Sequence, residues 1–212
     1  SETKEQVDIA LSGGSTPNLF FQAMTVLRPD IDWDRVRFYW VDDRCVPPDH
    51  PESNFGIANQ AFILPLGIPK SSYFRIRGED NPEKEAARYG ELILDQVAPD
   101  MNLPVFDLLF LGMGADGHTA SIFPYEAELW NADGLCAVGT HPESGQKRVT
   151  FTGQLINAAA RVLFLVTGEE KAEIAKKVIT RTGNYHDYPA SLVAPKRGVL
   201  EWYLDKAAAS LV

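Results

Sequence analysis

The chain has 212 residues, a formal net charge of −9, 45% hydrophobic residues and 23% charged residues. That is ordinary globular composition, long enough to bury a sizeable core, and no apolar run is long enough to span a bilayer. The acidic balance argues against a nucleic-acid partner, which would call for excess cations; a small anionic ligand would need a local cluster of Lys, Arg and backbone N–H groups set against the global field.

The polar start, SETKEQ, does not read as a secretory leader. Cys45 and Cys136 have no CxxC spacing and are expected to stay reduced in a cytoplasmic protein. VDIAL (7–11) reads as a buried strand, followed by a helix with Thr16 as N-cap and Pro17 at its first position. VRFYWV (36–41) is a second strand, SNFGIANQAFI (53–63) a short helix and SYFRI (72–76) a strand. NPEKEAARYGELILDQV (81–97) is the clearest helix: Asn81 caps it, Pro82 follows, and Ala86, Gly90, Ile93 and Val97 share a face. VFDLLFLGM (105–113) is apolar on both faces, as in the middle of a parallel sheet. VTFT (149–152) and RVLFLVTG (161–168) are strands, EEKAEIAKKVIT (169–180) a helix and TRTGNYHDYPA (180–190) a loop. GVLEWYLD (198–205) is a late strand or a turn into a final short helix. The alternation predicts one α/β domain over residues 1–212, an open, mostly parallel sheet flanked by helices on both faces.

Ligands of open α/β sheets sit beyond the carboxyl ends of the strands. Four polar clusters fall at such ends: SGGSTP, DDR, GADGH and TGEEK. In the first, glycines allow tight turns, Ser15 and Thr16 add hydroxyls and the helix start adds free N–H groups, which suits a phosphate; a plain capped turn is the alternative. GMGADG fits G-x-G-x-x-G, with a short helix expected after it. A dinucleotide site also requires an acidic residue ending the next strand, and CAVGT has none. The glycines fit better as room for a substrate to approach the backbone.

His118 follows that turn directly, with Asp116 placed to orient its ring, whereas His50, His141 and His186 read as surface residues. A histidine poised near neutral pH is the usual general base. No HExxH or Cys/His spacing supports a metal site, and no G-x-S-x-G supports a serine nucleophile. Asp42, Asp43 and Arg44 form either a solvated charged turn or an acid that steers water or the histidine beside an anion-binding arginine. Arg148 and Lys171 are further candidate cations.

LSGGSTP, VDDRCVPPDHPESN, DLLFLGMGADGHTASIFP, KRVTFT, TGEEKA and WYLD, in this order and with these gaps, closely resemble the 6-phosphogluconolactonase family. The resemblance covers nearly the whole chain and implies the fold shared with glucosamine-6-phosphate deaminase and ribose-5-phosphate isomerase. It implies His118 as general base and Asp116 or Asp42 as its orienting acid. Gly13, Gly14, Ser15 and Thr16 become the phosphate loop, with Arg148 and Lys171 as phosphate partners. The oxyanion falls to Arg44 or to loop amides near Gly114 to Gly117. Asp43 stands where the family has Glu, which leaves its role open. No cofactor and no metal are implied. The implied partner is a small sugar-phosphate lactone, acted on by a cytoplasmic monomer or weak homo-oligomer with no nucleic acid or membrane involved. Family members carry a strand and a helix ahead of the first glycine loop, so the short start here is expected to reflect a trimmed N-terminal segment. Two rivals remain: a glucosamine-6-phosphate deaminase, expected to have Tyr in place of Arg44 and NEP in place of Ile122-Phe123-Pro124, and a non-catalytic sugar-phosphate sensor.

Overall fold

The computed structural model describes residues 6–212. β1 (Val7–Leu11) turns through the glycines into α1 (Ser15–Leu27), and β2 (Val36–Trp40) follows. After Val41 the chain leaves the main sheet and starts β3 (Asp42–Arg44). α2 (Asn54–Ala58) continues through a π turn into α3 (Leu64–Leu66), ahead of β4 (Tyr73–Phe74) and the long α4 (Pro82–Gln96). A tight hairpin of β5 (Pro99–Asp100) and β6 (Leu103–Pro104) precedes β7 (Leu108–Leu111). β8 (Cys136–Thr140), β9 (Lys147–Phe151), α5 (Gly153–Ile156), β10 (Arg161–Val166), α6 (Ala172–Thr180) and β11 (Val199–Leu204) complete the order.

The main sheet has six parallel strands in the order β11-β10-β7-β1-β2-β4, flanked by helices. The chain winds outward from β1 through β2 and β4, then crosses to β7 and winds out the other way. That reversal opens a crevice at the carboxyl ends of β1 and β7, where both glycine turns stand. A smaller antiparallel sheet, β3-β9-β8, comes off this end. Among the described residues no helix is long and apolar enough to cross a membrane.

α4 forms where its cap and apolar face predict. Asn81 Oδ1 accepts from Lys84 N at 3.1 Å, and Ala86, Gly90, Ile93 and Val97 are buried. Tyr89, also fully buried, pins the helix to the sheet: its hydroxyl accepts from Trp40 N at 2.9 Å and donates to Phe74 O at 2.9 Å. Phe164 and Trp202, paired across β10 and β11, stack at 4.0 Å.

Some local expectations are corrected. α1 starts at Ser15 with Gly14 as N-cap, so Thr16 does not cap it. Thr16 Oγ1 instead bonds Thr167 Oγ1 at 2.7 Å, tying the loop after β1 to the loop after β10. Pro17 then falls third in the helix, where its missing N–H is still one the first turn leaves unpaired. Asp42, Asp43 and Arg44 are not a solvated turn but a strand, with both acids buried. Residues 72–76 give only the two-residue β4, residues 105–113 only β7, and β11 ends in a turn rather than a helix.

Candidate active site

The loop after β7 closes on itself: Gly114 N donates to His118 O at 3.0 Å and Gly117 N donates to Gly114 O at 3.0 Å. Both amides are therefore spent inside the turn, so these two N–H groups are not free for an oxyanion. Gly117 has φ +81° and lies against the Tyr188 ring, so both backbone conformation and space demand glycine. No helix follows the loop. The chain passes through a one-pair bridge, Thr119 to Ile122, into a 3₁₀ segment, so GMGADG lacks the helix N-terminus a pyrophosphate would use.

Asp116 Oδ1 sits 2.6 Å from His118 Nδ1 and also accepts His118 N at 3.1 Å. Burial pushes the Asp116 carboxyl up, but the hydrogen bond and charge interaction with His118 outweigh it and hold the group below its ordinary range. An ionised carboxylate only accepts, so Nδ1 is the donor of this bond, which leaves Nε2 as the lone-pair nitrogen of the neutral ring. Gly114 leaves room for this pair: a Cβ there would stand 2.3 Å from Nδ1 and 2.5 Å from Asp116 Oδ1. Gly114→Ala is expected to lower kcat by about 10²-fold through misplacement of the ring, with little loss of thermal stability. Paired kinetics and melting curves check this, and an unchanged kcat would contradict it.

Asp42, the other acid expected to orient the imidazole, does something else. Its Oδ2 accepts from Ser121 Oγ at 2.6 Å, anchoring the segment after the histidine, and among the described residues it makes no bond to His118. Asp43 accepts from Ser53 Oγ at 3.2 Å and from the N–H groups of Arg44, Asn54 and Phe55 at 2.8, 2.7 and 3.0 Å. It is a structural acid that fastens the start of α2 to β3.

Burial pushes the Asp43 carboxyl up to about 6 against the pull of those backbone donors. The native state then holds this proton more tightly than the unfolded chain, whose aspartates titrate near 3.8. Stability linked to Asp43 is present below about pH 4 and is lost as pH rises through about 6. Urea melts are expected to show the advantage of wild type over Asp43→Asn shrinking across that window. An advantage that grows with pH would mean the backbone donors outweigh burial.

β3 and β9 place Arg44 directly opposite Arg148. Arg44 Nη1 donates to Glu52 O at 2.7 Å, but among the described residues its Nε has no partner, and neither has the Nε of the buried Arg148. Burial lowers the Arg148 pKa, with Asp42 acting the other way. Like charges facing each other across a ladder, with donors unused, are unfavourable until an anion arrives.

One cleft of about 200 Å³ gathers these groups. Gly13, Gly14, Ser15 and Thr16 form one wall at the start of α1, with Lys171 beside them. Asp42, Arg44 and Arg148 form another, and Gly114 and His118 a third, with Asp116 bonded to the imidazole from outside the cleft lining. A larger groove of about 880 Å³, by Trp130 and Arg197 at the amino ends of the strands, contains none of them.

Two residues at the site have contacts that the sequence reading does not give, one packed behind the cleft and one in its wall. Phe123 is 1% exposed; its ring lies 4.6 Å from that of His118, with the Arg148 guanidinium 5.6 Å from its centre. His141 packs edge-on against the same ring at 5.5 Å, so it is not a plain surface residue. The signal was there in the apolar IFP so soon after the histidine, but only packing shows what it touches. The other is Asn54, which in sequence falls within the short helix expected over residues 53–63 and sits in the cleft wall.

Residues 1–202 match the family described as glucosamine-6-phosphate isomerases/6-phosphogluconolactonase. The chain belongs to this family. Its relatives in the isomerase/lactonase family include a 6-phosphogluconolactonase of Treponema pallidum, 49% identical over 84% of this chain and 74% of that protein. Another, from Haemophilus influenzae, is 44% identical over 100% of this chain and 90% of its own. Among solved structures, the 6-phosphogluconolactonase of Thermotoga maritima superposes with a TM-score of 0.83 at 29% identity, covering 96% of this chain and 88% of that one. Because the isomerase/lactonase family spans two chemistries, the cleft has to decide between them.

Proposed function

We propose that the cleft hydrolyses 6-phospho-D-glucono-1,5-lactone to 6-phosphogluconate. The free N–H groups at the start of α1, with Lys171 and Arg148, hold the phosphate. His118 Nε2 takes a proton from water as the water oxygen bonds to the lactone carbonyl carbon. Arg44 stabilises the oxyanion. The C–O bond to the ring oxygen then breaks, and His118 returns its proton to that oxygen. A lactone is an activated ester, so positioning and one base suffice, and no covalent enzyme intermediate enters.

One observation carries this reading: Nδ1 is engaged by Asp116 at 2.6 Å while, among the described residues, Nε2 has no partner, in a cleft walled by two arginines whose Nε donors are unused among the same residues. Relatives at 49% and 44% identity bearing the lactonase name support the lactone as substrate. Arg44 and Ile122-Phe123-Pro124 support it over deamination, since Phe123 packs directly on His118. The reading takes the chain to be a cytoplasmic monomer or weak homo-oligomer, in keeping with its two free thiols. Supplying the enzyme with the lactone and, separately, with glucosamine 6-phosphate tests the choice. Lactone loss without ammonia release is expected; ammonia release would favour the deaminase.

A further inference from the structure

Asn54 is 2% exposed, yet among the described residues its Oδ1 has no hydrogen-bond partner. The orientation of the amide is fixed by its other end: Nδ2 donates at 2.9 Å to Asp42 O, a carbonyl that only accepts. Its backbone is held too, because Asn54 N donates to Asp43 Oδ1 at 2.7 Å. So Oδ1 is a rigid acceptor, buried and unsatisfied, in the wall of the cleft that holds His118. It packs against Gly13, where a Cβ would come within 1.8 Å of it, so the first glycine of the phosphate loop is what leaves room for this oxygen at the cleft wall.

Buried polar atoms of native proteins are normally paired, and an acceptor left open at a ligand cleft marks where the ligand brings a donor. The oxygens of a fully ionised phosphate ester and a lactone carbonyl bring none and would be repelled. In a phosphorylated sugar the donors are the ring hydroxyls. Building on the proposed function, we infer that Asn54 Oδ1 accepts a hydrogen bond from a sugar hydroxyl and thereby selects a hydroxylated phosphate ester over a bare phosphate. Asn54 is a specificity residue, distinct from the cations that hold the charge and from the histidine that does the chemistry.

Equilibrium binding of 6-phosphogluconate and of inorganic phosphate to wild type, Asn54→Ala and Asn54→Leu tests this. The leucine fills the volume of the amide, so at least one variant should keep the fold, as melting curves would verify. Both variants are expected to bind 6-phosphogluconate about 10-fold more weakly while phosphate affinity stays within about twofold. Loss of both ligands to the same degree would show that Asn54 only supports the cleft, and no loss of either would show that Oδ1 meets no hydroxyl; both results overturn the inference while lactone turnover by wild type still stands. If wild type itself binds 6-phosphogluconate no more tightly than phosphate and turns over no lactone, the proposed function fails along with it.

Discussion

Replacing His118 with alanine is expected to lower kcat for lactone hydrolysis by about 10²–10⁴-fold, the usual worth of a positioned general base. KM should stay within a few-fold, because the imidazole is assigned to the water and the groups assigned to the phosphate stand on other walls of the cleft. The fold should survive: His118 is only partly buried, and the ring it touches, Phe123, keeps Tyr125, His141 and Arg148 as neighbours. Asp116→Asn should cost less, since the base remains and only its tautomer and orientation loosen. Steady-state kinetics with a melting curve for each variant separate these effects. A His118→Ala enzyme with near-wild-type kcat would remove the histidine from the mechanism.

Arg148→Met is expected to raise KM for the lactone by roughly 10- to 150-fold, the equivalent of about 1.5–3 kcal/mol for hydrogen bonds to a charged group. Its effect on the unliganded protein should run the other way. The guanidinium is buried beside Arg44 with an unused Nε, and a flexible apolar side chain of similar volume removes that burden. Thermal stability without ligand should therefore hold or rise, while the stabilisation that added phosphate gives wild type should disappear. Arg148→Lys restores charge but not the planar fork, and should recover only part of the binding. An unchanged KM, or a sharp loss of stability in the methionine variant, would make Arg148 a structural residue instead.

How much of this could be read in the sequence depended on how far apart the partners lie. The sheet was legible because its strands are apolar runs separated by helical periods, and the crevice because the polar clusters end those runs. The Asp116–His118 pair was legible because its members are two residues apart on one glycine turn. Asp42 was not, because its partner, Ser121, lies 79 residues away. The same distance problem hid Asp43: three charged residues in a row look like solvent-facing turn until Asn54, Phe55 and Ser53 are folded over them. Thr16 had the right chemistry for a cap, but Thr167 from the other half of the sheet takes its hydroxyl. The glycine amides could be counted but not their use, since only the closed turn shows that Gly114 and Gly117 already donate.

The initial rate of disappearance of freshly generated 6-phosphogluconolactone, measured against a buffer blank with wild type and His118→Ala side by side, tests the assignment most directly. The blank matters because the lactone also hydrolyses unaided. Loss far faster than the blank with wild type, falling most of the way back with the variant, is the expected result. Wild-type loss at the rate of the blank would contradict lactone hydrolysis in this cleft, and equal rates for the two enzymes would contradict His118 as its base.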